Sequence, residues 1–264
     1  MCDHCGSKLL EPMIHAETPE KLVEACQRLE ERGDAGCLVT GGSRRDGTLP
    51  WEDFIPAIKT AKETTGLHIS IHGGVINHDL ARSMKDAGVD QVLLDVVGDD
   101  ETLASVLHAG FSVERINNTL AALTDVGIPV VPHIVVGLNY GKIKGEYEAV
   151  RMIKGYRPEA MVIVSLMPLA GTPMSGVPPP EPQDIARIIA AARIEMPDVP
   201  ISLGCARDSS DPGIDVLAVD CGVNRMAIPS EEAIKRAEYY GLEMIWQGTC
   251  CSVPLDIEVA KDGG

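Results

Sequence analysis

Residues 36–42 read Gly36-Cys37-Leu38-Val39-Thr40-Gly41-Gly42, a short apolar run closed by glycines. Such a run, with no polar alternation, reads as a strand buried on both faces. Before it, Leu22, Val23, Cys26 and Leu29 recur at helical spacing from Pro19 to Arg32, and Gly33 follows as a stop. The same alternation continues downstream. Helices are expected at Trp51 to Thr65, Asp79 to Ala87, Tyr147 to Gly155, Pro182 to Glu195 and Ser230 to Tyr240, with one or two more between Asp99 and Val126. Strands are expected at Leu67 to His72, Gln91 to Val97, Val130 to Val136, Ala160 to Met167 and Ile201 to Cys205. Short apolar pieces follow at Val216 to Val219 and Arg225 to Ile228, and Leu242 to Trp246 could close the series.

Strands that alternate with helices of ten to fifteen residues are parallel, because each crossover returns the chain to the same edge. Seven or eight such units make a (β/α) TIM-like barrel. A doubly wound open sheet is the other candidate, but no glycine-rich phosphate fingerprint follows the first strand. In a barrel the working residues sit at the C-terminal ends of strands. That rule selects Gly41 to Arg45, His72 to Gly74, Asp95 to Gly98, Gly137 to Tyr140, Met167 to Met174 and Cys205 to Arg207.

The chain has 264 residues, 45% hydrophobic and 23% charged, which suits one globular domain. Residues 1–241 are expected to form the barrel core and residues 242–264 a closing strand and a cysteine-containing tail. With 39 acidic against 23 basic side chains the net charge is -16, so a phosphate backbone has no basic patch to hold it. Nucleic acid is not an expected partner. No apolar run reaches a membrane span or signal-peptide length, and the expected compartment is the cytoplasm.

Eight cysteines are too sparse for a disulfide scaffold in a chain of this length. Cys26 and Cys37 fall inside a helix and a strand and read as core, and Cys221 among Val219, Gly222 and Val223 reads the same way. Cys2-Asp3-His4-Cys5 is a C-x-x-C in a loop before the first helix. That spacing serves zinc, thiol redox chemistry and iron–sulfur clusters alike. Asp95 ends a strand and faces the reaction chamber, where it could bind a ligand or cap the next turn, whereas His72 and His133 read as satisfied core histidines.

Along nearly its whole length the sequence resembles the radical S-adenosylmethionine (SAM) superfamily, and within it the biotin synthase and lipoyl synthase branch, archaeal-type lipoyl synthases included. Cys2 and Cys5 match the second and third cysteines of that family's C-x-x-x-C-x-x-C loop, which holds a [4Fe-4S] cluster. The first cysteine and the first barrel strand would then lie upstream of Met1. Thr40-Gly41-Gly42-Ser43 stands where the family carries the Gly-Gly motif whose backbone holds the SAM amino group, with Ser43 in place of the usual acidic residue. Arg115, in Ser112-Val113-Glu114-Arg115-Ile116, matches the arginine that pairs with the SAM carboxylate. Val136 and Gly137 end the strand that flanks the adenine, and Leu166 to Met174 resembles the branch's strand and turn around Gly171-Thr172-Pro173.

The resemblance implies a radical SAM enzyme that functionalises an unactivated carbon, with sulfur insertion the leading reaction. A radical SAM isomerase or methylating relative, or a barrel with no activity of its own, stands beside it. Cys205, Cys250 and Cys251 would suit a second iron–sulfur cluster near the barrel mouth, as sulfur-inserting members use. The implied substrate is a small molecule or a lipoyl-domain-like protein, and the implied electron donor a ferredoxin or flavodoxin.

Overall fold

The computed structural model describes residues 2–208 and 210–253. Seven parallel strands run in sequence order, β1 Gly36–Val39, β2 His68–His72, β3 Gln91–Asp95, β4 Val130–Val136, β5 Met161–Ser165, β6 Ile201–Leu203 and β7 Arg225–Met226. Each pairs with the next, and the sheet curls into a half-barrel with β1 at one edge and β7 at the other. The crossovers carry nine helices among the described residues: α1 Pro19–Arg32, α2 Trp51–Thr64, α3 His78–Asp86, α4 Asp100–Ser105, α5 Val113–Val126, α6 Glu146–Lys154, α7 Pro182–Glu195, α8 Gly213–Asp220 and α9 Glu231–Tyr239.

Local chemistry sets these boundaries. Thr18, Asn77, Asp99 and Ser230 each accept a backbone N–H of the first turn of α1, α3, α4 and α9, and Gly33 and Gly127 end α1 and α5 in the left-handed conformation. Alternate strand residues face opposite sides. Ile69, Ile71, Val92, Ile134, Met161, Ile163, Ile201 and Leu203 are buried beneath the helices, in one continuous apolar core. Leu93, Val131 and Val162 point the other way, into the concave side, with Ala160 and Cys251 against them.

Two sequence expectations need correction. Val216 to Val219 belongs to α8, not to a sheet piece. Leu242 to Trp246 forms no strand, and Leu242, Ile245 and Trp246 are 49%, 69% and 69% exposed. An apolar run alone could not decide this. The two-residue β7 offers too short an edge to extend the ladder, and the chain instead passes beneath the half-barrel. There Ser202 donates to the Cys251 carbonyl at 3.0 Å and Arg225 to the Val253 carbonyl at 3.0 Å. Residues 254–264 of the expected tail lie outside the described residues.

Candidate functional site

The loops after β1, β2 and β3 enclose a cavity of about 150 Å³. Gly41, Ser43, Arg44, His72 and Asp95 supply its polar lining, and Leu49, Leu103, Leu107, Phe111 and Ile116 its apolar walls. Gly74 fits at φ +67° against the backbone of Gly47, whose carbonyl a side-chain carbon there would strike at 2.5 Å. Nothing lies within 4 Å of where a Cβ of Gly42 would stand, so the Gly41-Gly42 turn leaves open space above its backbone.

Asp95 carries the electrostatics. Its carboxylate lies 3.3 Å from His72 Nε2, and the His72 and His133 rings are 6.4 Å apart. Burial pushes the Asp95 carboxyl up, but the His72 cation, the hydrogen bond from His72 and the nearby His133 outweigh it and hold it at about 2. Asp95 in turn raises His72 above the ordinary histidine value. Burial lowers His133, whose Nδ1 sits 2.9 Å from the Val131 carbonyl; the neutral ring donates there, and Nε2 is left as an acceptor. The chamber therefore sets a carboxylate held low beside one imidazole raised and one lowered. His4 reaches toward it from the cysteine loop, with a buried Nε2 that has no partner.

Cys2 and Cys5 share a hydrogen bond, which together with burial raises Cys2 and which lowers Cys5 to about 6. Two convergent thiols, one of them readily ionised, suit a thiophilic metal centre. Their loop sits on the segment after α4, where the Asp3 N–H donates to the Val106 carbonyl at 2.8 Å. Leu107, the next residue, lines the cavity. Asp3 also accepts from His108 and from the Tyr140 hydroxyl, which together hold its carboxyl below the usual range.

Arg115 opens the first turn of α5 at the rim of a second, wider hollow with Asp46 and Ser112, and Ala109 and Phe111 line both hollows. Gly42, Val136 and Gly137 do not line the first cavity. The Val136 side chain is fully buried on the helix side, and Gly137, at φ +78°, donates its N–H to Glu146 at 2.8 Å beside Pro180.

The late cysteines approach from the opposite end. Cys250 lies with His68, Ser70 and Leu93 in a hollow reached past Gly36, at the N-terminal ends of β1 and β2, not at the mouth of the barrel. A hydrogen bond from Cys251 lowers Cys250 to about 5, and that bond and burial raise Cys251. Cys205, exposed after β6, is near enough to be felt by Cys251. Among the described residues no three His, Cys, Asp or Glu side chains are gathered as a metal requires. The described residues do not show a second cluster there. Cys26 and Cys37 are hydrogen-bonded to each other between α1 and β1, as core thiols.

Fold and site together define a (β/α) half-barrel protein with a two-cysteine loop on its C-terminal rim. The family model described as the Radical SAM superfamily matches residues 1–150, more than half of the chain, and the chain belongs to that superfamily, in its biotin synthase-like branch. A second model, the Biotin and Thiamin Synthesis associated domain, matches residues 163–244. The biotin synthase of Rhodopseudomonas palustris (strain TIE-1) is 29% identical over 229 residues, which are 84% of this chain and 64% of that protein. Biotin synthase 2 of Polaromonas sp. (strain JS666 / ATCC BAA-500) is 24% identical over 206 residues, 77% of this chain and 59% of that protein. The chain thus spans about three fifths of the length of these relatives. Among solved structures, methylornithine synthase superposes with a TM-score of 0.66 at 19% identity, over 93% of this chain and 79% of that one. The [FeFe]-hydrogenase maturase HydG from Carboxydothermus hydrogenoformans gives 0.63 at 19% identity, over 98% and 60%. Both support the fold.

Proposed function

We propose that the protein is a radical SAM enzyme acting on a small polar molecule inside the half-barrel. The observation that carries this is the convergence of the Cys2 and Cys5 thiols on the same rim as the cavity behind Gly41-Gly42. The residues present fit a [4Fe-4S] cluster as far as the chain supplies them: Cys2 and Cys5 would hold it, and the family motif asks for one more cysteine four residues before Cys2. Bound there, such a cluster supplies the electron that splits SAM.

The protein's own groups do the rest. The Gly41 to Ser43 turn offers backbone polar groups to the SAM amino end, and the Arg115 fork suits a carboxylate at the rim. Leu49, Leu103, Leu107 and Phe111 exclude water from the cavity wall. Asp95, with His72 and His133, would bind the polar end of the substrate, His72 giving a proton and His133 Nε2 taking one.

Sulfur insertion, by analogy with the biotin synthases, is the finer reading. Its support within the chain is the Cys250–Cys251 pair, held inside the half-barrel near His133. An isomerase reading is favoured by the titratable groups of the chamber, which an aliphatic carbon would not need. In either case the reductant would be a ferredoxin or flavodoxin, and a lipoyl-domain-like substrate remains within the sulfur-insertion reading only. We read residues 1–241 as the core and residues 242–264 as a tail, of which residues 248–253 plug the core from below. No helix among the described residues is long and apolar enough to cross a membrane. The test is release of 5′-deoxyadenosine from SAM by anaerobic protein, expressed with whatever residues precede Met1 in its gene. Release that disappears in Cys2→Ala and Cys5→Ala is expected, and release at the normal rate in both variants overturns the proposal.

A further inference from the structure

Asp3 stands between the two cysteines and makes three bonds to two distant loops. Its N–H donates to the Val106 carbonyl at 2.8 Å. One carboxylate oxygen lies 2.7 Å from His108 Nε2, and the other accepts from the Tyr140 hydroxyl at 2.6 Å. The first two contacts are to the loop after α4, the third to the turn after β4. Among the described residues, every hydrogen bond from residues 2–7 to the rest of the barrel runs through Asp3. The other bonds of the loop are internal, Gly6 N–H to the Cys2 carbonyl and Lys8 N–H to the Cys5 carbonyl.

Both side-chain donors stand at positive φ, His108 in the turn that ends α4 and Tyr140 in the hairpin turn after β4. His108 has φ +53° and Tyr140 φ +48°, two of the five non-glycine residues with positive φ among those described. The Asn139–Lys142 bridge closes a two-residue turn whose central residues, Tyr140 at φ +48° and Gly141 at φ +81°, both take the positive φ that a type I′ turn requires. The two turns present two donors to one carboxylate, His108 to one oxygen and Tyr140 to the other.

We propose that His108 and Tyr140 are positioning residues that act through Asp3, clamping the cysteine loop so that Cys2 and Cys5 hold one fixed place against the cavity wall. The clamp rests on reading that loop as the metal-binding loop. Leu103 and Leu107 line the cavity from the same α4 segment that the clamp engages, so the clamp fixes the sulfurs relative to the ligand space. Without the two side-chain bonds the cluster loop would hang on the Asp3 N–H alone, because among the described residues neither cysteine makes a hydrogen bond to another element.

The experiment uses the chain as described, without cluster, and two probes: iodoacetamide with peptide-resolved readout of each cysteine, and Co(II) alone followed by its thiolate charge-transfer absorption. Tyr140→Phe removes one donor and keeps the ring, and Asp3→Ala removes both acceptors and keeps the backbone N–H. Tyr140→Phe is expected to speed alkylation of Cys2 and Cys5 by about three- to tenfold, the range of one lost hydrogen bond, Asp3→Ala, which loses both, by more, and each to weaken Co(II) binding by a similar factor. In the double variant, Tyr140→Phe should add nothing to Asp3→Ala, and Asp3→Asn, which keeps one acceptor, should restore part of the protection. Should Tyr140→Phe fold poorly, His108→Gln is read in the same way. Unchanged Cys2 and Cys5 rates, full additivity in the double variant, or a parallel rise at the remote Cys221 would each overturn the clamp. Because 5′-deoxyadenosine is not measured here, failure of the clamp and failure of the radical reading are separate results.

Discussion

At the level of single residues, the chamber is defined by Asp95 and the two histidines beside it. The sign of their pH dependence follows from the shifts. Asp95 is held at about 2, so its ion pair contributes stability above the ordinary aspartate value and loses it as pH falls toward 2. His72 is raised, so its contribution is complete below the unfolded histidine value near 6.5 and disappears as pH rises through its higher folded value. The pair is therefore strongest at mildly acid pH. Asp95→Asn should move the His72 titration, followed by NMR, to lower pH; an unmoved titration would mean that Asp95 does not set it. Arg115→Ala should weaken SAM binding by about 1.5–3 kcal/mol, the range for a charged hydrogen bond, with cluster content unchanged. Equal SAM affinity in calorimetry would return Arg115 to a solvated helix charge. The sequence marked Asp95 by its place at a strand end, but His72 and His133 looked like core because apolar neighbours flank them. The missed signal was the alternation in His68-Ile69-Ser70-Ile71-His72, which puts the isoleucines under the helices and the polar residues inside. Tyr140 fell in a segment that the strand-end rule selected, but its pairing and that of His108 with Asp3 carried no signal, since 137 and 105 residues separate the donors from the acceptor.

At the level of elements, helices with caps and strands with buried runs were legible to within a few residues, because both signals are local. β4 and α7 have the bounds that their apolar patterns suggest. The C-terminal part was not legible in the same way. There the decisive contacts are long-range, and the apolar run at Leu242 to Trp246 finds no edge to join. What ties β6, β7 and α8 together is instead a buried charge. Arg207 is 5% exposed and bonds the Asp215 carboxylate and the carbonyls of Gly204, Ala227 and Ile228. Removing one partner leaves the other charged and unpaired, so Arg207→Ala should cost about 3–5 kcal/mol in chemical denaturation. A loss well under 1 kcal/mol would show that this corner is held by packing alone.

At the level of the whole molecule, the half-barrel is open along β1, takes the two-cysteine loop on its C-terminal rim and takes residues 248–253 from below. Both ends of the described chain thus converge on the concave face, one with a thiol pair and the other with a second thiol pair. The central claim is that only the first pair builds the metal centre. Iron and acid-labile sulfide counted per chain, in anaerobic protein expressed from its whole gene, test this most directly. The account predicts about four irons per chain, a content that collapses in Cys2→Ala and in Cys5→Ala and persists in Cys250→Ala. Iron that survives both of the first two substitutions, or that depends on Cys250 instead, would contradict it.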